Sequence, residues 1–555
     1  MSRVESWIEC LDCGEQAVYE PLSLACPACG SPWREARYDL RSLRETWQRE
    51  LPSREPSLWR YGELLPIRLD EKLVMLGEGM TPLLDASQLG EMLRLPHLMI
   101  KDERQGPTQS FKDRQASVSV NALRLFGLQE AVVCSTGNVA MAYSAFCARA
   151  GIKLWAFLTS LVPPEKMHEV AIYGTEVIKV AGTYDQAKQL AAAFAESRGL
   201  YLDRGARSIA ALESMKTIAF EICEQLAGMR AADSLPWPTP DWYIQAVSGG
   251  IGPLGVLKGF SELRDAGLIE RIPKIACVQA EGCAPMARAW ASGCREAAPV
   301  RHPETYITTL TTGDPGRTYS LLFDRLTAGP GGIMLSVSDD EAFHALNLAA
   351  KLEGLSIEPA AAVAFAGLFK MAREGIVSRD ELIVVNCSGH AIPVERQMLP
   401  AGWATELNLE DSALPARPRE GLSAALRLLD RHRMRQVLVI DDQADARRLI
   451  RRLLEAHGAY EVYEASGVSQ ALKVLGQRPV DLIILDLMMP ETDGFDLVER
   501  LKKDDAFREV PIIVVTAKEL TRKEWQRLSG KINRLMVKGD FLDDELMREI
   551  DHVLS

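Results

Sequence analysis

No uninterrupted apolar run in this 555-residue chain approaches the ~18 residues needed to cross a bilayer, so no membrane-spanning helix is expected. The first residues, Met1 to Trp7, lack the apolar stretch of a signal peptide. Positive charge is not in excess. The 64 Lys+Arg against 76 Asp+Glu leave a net charge of −12, which points to neither nucleic acid nor an anionic membrane as a partner. Internal repeats and low-complexity tracts are also missing. These absences direct the reading to a globular protein, with the cytoplasm as the expected compartment. A single core rarely exceeds roughly 250–300 residues, so the length implies several domains.

Cysteine is scarce outside one cluster. Of 11 cysteines, four crowd near the start as Cys10-x-x-Cys13 and Cys26-x-x-Cys29, with Gly14 and Gly30 following. Each pair offers two thiolates from one tight turn, with glycine expected to relieve crowding at the sulfurs. Two such turns complete a tetrahedral Zn²⁺ site whose binding energy folds a module too small for its own core. A redox role is the alternative. Four thiolates leave no open position, so the zinc is expected to be structural. The remaining cysteines (Cys134, Cys147, Cys223, Cys277, Cys283, Cys294 and Cys387) read as buried small hydrophobes.

Four segments follow from this pass: a zinc ribbon at 1–37, a long α/β region at 38–400, a Pro-containing linker at 401–433 and a second α/β region at 434–555. In both α/β regions strand-like apolar runs alternate with helical patterns, the signature of parallel sheets covered on both faces. In the long region, Ser110-Phe111-Lys112-Asp113-Arg114 puts a lysine at the start of a helix. Ser248-Gly249-Gly250-Ile251-Gly252 lies between a strand and a helix, giving free N–H groups for a phosphate. Either feature alone is weak; a lone lysine is usually a solvated charge.

Their order and spacing, with other strings, carry a resemblance. Leu76-Gly77-Glu78-Gly79-Met80-Thr81-Pro82-Leu83, Lys101-Asp102-Glu103, Ser135-Thr136-Gly137-Asn138, Gln279-Ala280-Glu281-Gly282, Glu358-Pro359-Ala360 and Ser388-Gly389-His390 join the lysine segment. Together they resemble the fold-type-II pyridoxal-phosphate (PLP) enzymes and, among them, threonine synthase, some relatives of which carry a zinc ribbon. The resemblance implies two doubly wound α/β subdomains with PLP as cofactor. It implies Lys112 as the Schiff-base lysine and proton carrier, Asn138 on the 3′-oxygen, and Ser248, Gly249, Gly250, Ile251 and Gly252 on the phosphate. Ser135, Thr136 and Gly137 would cup the substrate carboxylate. Ser388 would face the ring nitrogen, where a hydroxyl makes a weaker electron sink suited to elimination and replacement. A homodimer is expected.

Two departures bear on the substrate. The family's Asn-Pro-Thr-Gly is here Gly106-Pro107-Thr108-Gln109, so a bulky amide, Gln109, is expected beside the cofactor and substrate. Threonine synthases grip the phosphate of O-phosphohomoserine with Asn-Ser-x-Asn-Pro-x-Arg. Here the Asn, Ser and Arg become Gly205, Ala206 and Ala211, losing charge-assisted hydrogen bonds. Arg204 or Arg207 would have to compensate from a shifted loop. The expectation is a PLP-dependent lyase acting on an amino acid other than O-phosphohomoserine. The alternatives are a PLP or amino-acid sensor with reduced turnover, and an authentic threonine synthase with a rearranged phosphate site.

The last region carries Asp441-Asp442, Asp486 and Thr516 at strand ends, and Lys538 after a fourth. Close carboxylates need a cation, so Mg²⁺ is implied. With Met489-Pro490 and Asp493-Gly494, the set resembles a flavodoxin-like response-regulator receiver, which implies Asp486 as phosphoacceptor and Asp442, Asp486 and Met488 as holders of the Mg²⁺. A sensor histidine kinase is the implied partner. Gly539 follows the lysine where proline is usual, and Leu535 replaces the aromatic switch residue, so the usual Thr-to-aromatic relay is expected to be altered.

Overall fold

The computed structural model describes all residues except 1–3, 22, 24, 68–72, 136, 160–161, 181–183, 230–234, 392–434, 458–459, 490–492, 517–519, 538–542 and 555. The expected linker, Thr136 and Lys538 therefore lie outside the described residues. The chain divides into two compact units, 1–398 and 399–555. No described helix is long and apolar enough to cross a membrane.

The first unit contains three sheets. A small antiparallel one, ordered Gln16–Ala17, Ser6–Cys10, Arg34–Tyr38, carries the cysteine turns. A six-stranded sheet runs Gly332–Val337, Lys274–Ala280, Trp242–Ala246, Ile383–Cys387, Leu98–Asp102, Leu83–Asp85, parallel except for the last pair. A four-stranded parallel sheet runs Glu176–Val180, Lys153–Thr159, Glu130–Ser135, Tyr201–Leu202. The central strands Ile383–Cys387 and Trp242–Ala246 are buried at every residue. That is why all but one residue in each, Asn386 and Gln245, are apolar: helices cover a parallel sheet on both faces.

Charge is buried too. Arg114, fully buried, donates to Glu103 at 2.8 Å and to Glu221 at 2.6 Å, and Lys101 donates to Glu221 at 2.7 Å. This network ties the helix Lys112–Leu125 to the helix Thr217–Met229 and to the end of the strand Leu98–Asp102.

The second unit is a five-stranded parallel sheet ordered Tyr460–Ala465, Arg435–Ile440, Leu482–Leu485, Ile512–Thr516, Arg534–Val537. Its three central strands are the most deeply buried, as doubly wound sheets require.

The scattered cysteines match their expectation only in part. Cys147, Cys223, Cys277, Cys283 and Cys387 are buried, but Cys294 is exposed and Cys134 is half-buried. Burial pushes the Cys134 thiol up to about 12, so it is not a ready nucleophile.

Candidate active site, metal centre and phosphoacceptor site

Strand carboxyl ends from both large sheets surround one cavity of about 550 Å³. Ser135 ends the strand Glu130–Ser135, Asp203 follows Tyr201–Leu202, Ser248 follows Trp242–Ala246, and Ser388 follows Ile383–Cys387. All four line the cavity, together with Lys112, Asn138 and Glu358. The backbone N–H of Phe111 donates to the Ser388 carbonyl at 3.0 Å, which brings the lysine turn against the end of the central strand.

Lys112 opens its helix, and among the described residues its amine meets Gln115 Oε1, at 3.4 Å, and the Phe111 ring. Loss of hydration lowers its amine to about 8, against the pull of the Asp203 and Glu358 carboxylates. A protonated amine cannot attack an aldehyde. PLP uptake by the cofactor-free protein is therefore expected to speed up as pH rises and to level off above about 8, well below the ordinary lysine value of 10.5. Absorbance-monitored uptake across pH tests this; a plateau reached only above pH 10 would contradict it.

Gly250, at φ +85°, makes the left-handed turn that starts the helix Ile251–Asp265. The N–H groups of Gly249, Gly250, Ile251 and Gly252 meet no acceptor among the described residues. A helix start with free donors at a cavity suits a phosphate dianion. These donors and the weakly engaged Lys112 fit PLP.

Several expected residues are otherwise engaged. The Asn138 amide donates to both Glu358 carboxylate oxygens at 2.9 Å, and its carbonyl accepts from Lys166 Nζ at 3.4 Å. Ser135 Oγ accepts from the N–H groups of Gly137 and Ala140 at 2.9 and 3.2 Å, so it caps the helix Asn138–Ala150 as well as facing the cavity. Gly137 itself is not on the cavity wall. Gln109 is a correction. At φ +60° its side chain is exposed and absent from the cavity wall, while its carbonyl accepts from His390 N–H at 2.9 Å.

Two groups of residues went unread in the sequence. Asp203 accepts from Gln115 at 3.2 Å, from Gly205 N–H at 2.9 Å and from the Tyr143 hydroxyl, linking it through Gln115 to Lys112. Lys166, buried, sits 3.5 Å from Glu358. Arg204 and Arg207 both line the cavity. Among the described residues neither forms an ion pair, and the buried Nε of Arg204 has no hydrogen-bond partner there. Arg207 is exposed as a residue, yet partial desolvation lowers its pKa, and its proximity to Arg204 adds to that.

The four ribbon sulfurs lie within 4.8 Å of one another. Cys10–Cys29 and Cys13–Cys26 are 3.6 Å apart, far beyond a disulfide and close to the roughly 3.8 Å edge of a tetrahedron with metal–sulfur bonds of about 2.3 Å. The donor set fits zinc. Gly14 and Gly30, at φ +76° and +75°, have nothing within 4 Å of a built Cβ. Glycine is there for its left-handed backbone rather than to relieve crowding.

In the second unit the carboxylates of Asp441, Asp442 and Asp486 also meet within 4.8 Å, and a buried Asp442 oxygen has no partner among the described residues. That suits a hard cation such as Mg²⁺. Met488 N–H donates to Asp486 Oδ1 at 3.0 Å while its side chain is exposed. Arg447 donates to the Asp441 and Asp442 carbonyls at 2.7 and 3.2 Å, fixing the acid turn. Thr516 ends its strand fully buried.

A lysine and a free phosphate cradle at the meeting of two parallel sheets, joined to an aspartyl phosphoacceptor fold, define a PLP-type α/β enzyme fused to a receiver. Comparison with known proteins agrees. Residues 74–389 match the family described as pyridoxal-phosphate dependent enzyme, and residues 437–551 match the response regulator receiver domain. The chain belongs to the pyridoxal-phosphate dependent enzyme family and carries a receiver domain in its C-terminal part. Threonine synthase of Methanocaldococcus jannaschii is 34% identical over 385 residues, covering 69% of this chain and 92% of that protein. The threonine synthase of Methanosarcina acetivorans is 31% identical over 386 residues, 69% of this chain and 91% of its own length. Among solved structures, threonine deaminase isoform 2 from Solanum lycopersicum aligns with 57% of this chain and 84% of its own at 21% identity, TM-score 0.48.

Proposed function

We propose that this chain is a PLP-dependent lyase that performs elimination or replacement on an amino acid, with turnover set by phosphorylation of its receiver at Asp486. The observation that carries the first part is Lys112: weakly engaged, partly desolvated, and in one cavity with the free N–H groups of Gly249–Gly252. PLP, when bound, supplies an electron sink for charge developing at the substrate α-carbon. The chain's own residues do the rest. The helix start Gly250–Gly252 binds the phosphate dianion. Lys112 accepts and returns the proton at the substrate α-carbon. Asn138, braced by Glu358 and Lys166, holds the ring side of the cavity. Ser388 offers a hydroxyl where a carboxylate would keep the ring nitrogen protonated, favouring elimination and replacement over transamination. Screening amino acids for a shift of the visible band, then for ammonia or keto-acid release, tests the reading; band shifts without product would favour a sensor.

One observation favours a second reading, a threonine synthase with a rebuilt phosphate seat. Arg204 and Arg207, on the cavity wall without ionic partners among the described residues, offer two guanidinium groups to a distal anion of the substrate. Release of phosphate and threonine from O-phosphohomoserine at ordinary rates would decide for it and against a different substrate.

The receiver implies a phosphodonor such as a histidine kinase. Asp486→Ala is expected to abolish labelling by acetyl phosphate and any effect of beryllofluoride on lyase kinetics. Equal kinetics with and without beryllofluoride in the native protein would remove the regulatory part of the reading.

A further inference from the structure

The ribbon, at first sight a folding device, reaches the cavity. Trp33, four residues beyond the last cysteine, is on its wall together with Asp314, Pro315, Gly316 and Thr318 from the segment that leads into the helix Arg317–Ala328. Its backbone is fastened to both cysteine turns. The Trp33 carbonyl accepts from Leu11 N–H, inside Cys10-x-x-Cys13, at 3.0 Å. The Trp33 N–H donates to Ser31 Oγ at 3.1 Å, and the Ser31 carbonyl accepts from Cys26 N–H at 2.7 Å.

The first of these turns also holds that segment. Arg317 donates to Asp12, between the first two cysteines, at 2.8 Å, and its guanidinium stands 5.8 Å from the centre of the Trp33 ring. Further along that helix, Arg325 donates to Glu35, in the strand Arg34–Tyr38, at 2.7 Å. Lys258, from the helix that begins at the phosphate cradle, donates to the Ala36 carbonyl at 2.7 Å. The ribbon thus touches the helices that frame the cavity at several independent points.

We infer that the cysteine ribbon is a wall of the catalytic cavity and that Trp33 is a specificity residue positioned by the metal-binding turns. An indole held from two sides by sulfur-anchored backbone limits the size of the side chain that fits beneath it. Metal at the four thiolates keeps it in place. The inference rests on the PLP reading above.

The test uses the full-length, PLP-loaded protein. Native, Trp33→Ala, Trp33→Phe and Arg317→Ala forms are compared for zinc per chain, for visible-band shifts with a panel of L-amino acids, and for capture of the cofactor by O-benzylhydroxylamine, a bulky amine. Trp33→Ala is expected to keep its zinc, to capture about tenfold faster, and to shift its preference toward larger side chains, while Trp33→Phe stays close to native. Arg317→Ala, which leaves the ribbon sequence intact, is expected to move in the same direction. Chelation of the native protein should produce the same gain while the visible band persists. Zinc-replete Trp33→Ala with native capture rate and native preference would overturn the inference, and so would a chelated native protein whose capture rate is unchanged. A native protein that forms no visible band at all would instead overturn the PLP reading, and this inference with it.

Discussion

Lys112→Ala is expected to leave a protein that folds, binds PLP without a visible imine band, and turns over at least roughly 10³-fold more slowly, the range lost when a positioned acid–base group is removed. The lysine begins its helix and, among the described residues, its amine makes one long hydrogen bond, to Gln115, and lies over the Phe111 ring, so its removal strips chemistry without opening the core. Absorbance before and after borohydride reads the covalent bond, and product release reads the proton transfer. A variant that keeps a borohydride-sensitive band would transfer the role to another amine. Lys166 is the one to examine first, since it is buried beside Asn138 and Glu358.

Two residues along the same helix, the expected effect is on stability. Arg114→Met removes a fully buried guanidinium from Glu103, Glu221, Thr81 and Thr217. Both carboxylates lose their main partner, although Lys101 still reaches Glu221. Breaking a buried pair from one side costs about 3–5 kcal/mol, because the remaining charge is left in the interior without compensation. Denaturant unfolding of the first unit should shift by that amount. Replacing Arg114, Glu103, Glu221 and Lys101 together with apolar residues is expected to recover much of the loss, since the penalty comes from orphaned charge and Lys101 would otherwise be left buried without Glu221. A single variant with native stability would mean that water or rearrangement already solvates the network.

Much of this architecture was legible in the sequence because motifs sit at chain-local positions. The paired Cys-x-x-Cys units suggest their chemistry within a few residues, while Lys112, the Ser248–Gly252 turn and the strand-end aspartates gain theirs from order and spacing along the chain. Residues brought from elsewhere were not legible. Asp203 follows a two-residue strand, Tyr201–Leu202, and gains meaning only from Gln115 and Tyr143 packed against it. Lys166 is an ordinary lysine in a short helix until Glu358 faces it from 192 residues away in the chain (358 − 166). Gln109 shows the opposite failure. The resemblance placed it beside the cofactor, where the family has glycine, but at a left-handed φ its side chain is exposed. The lost phosphate grip at Gly205, Ala206 and Ala211 was visible as an absence. The two arginines that flank it could be placed on the cavity wall only once the loop had a shape.

The ribbon's moorings have a bearing on how the protein is made. Glu35 leaves the ribosome 290 residues ahead of Arg325, which at roughly 5–20 residues per second is an interval of about fifteen seconds to a minute. Throughout that interval the nascent ribbon has neither its eventual platform nor a hydrophobic nucleus large enough to sustain it. Early capture of a metal ion would give the emerging segment a durable shape, ready to seat when the later helices are translated. Cells starved of zinc should then accumulate chains whose N-terminal segment is open to proteases, even where the remainder has matured.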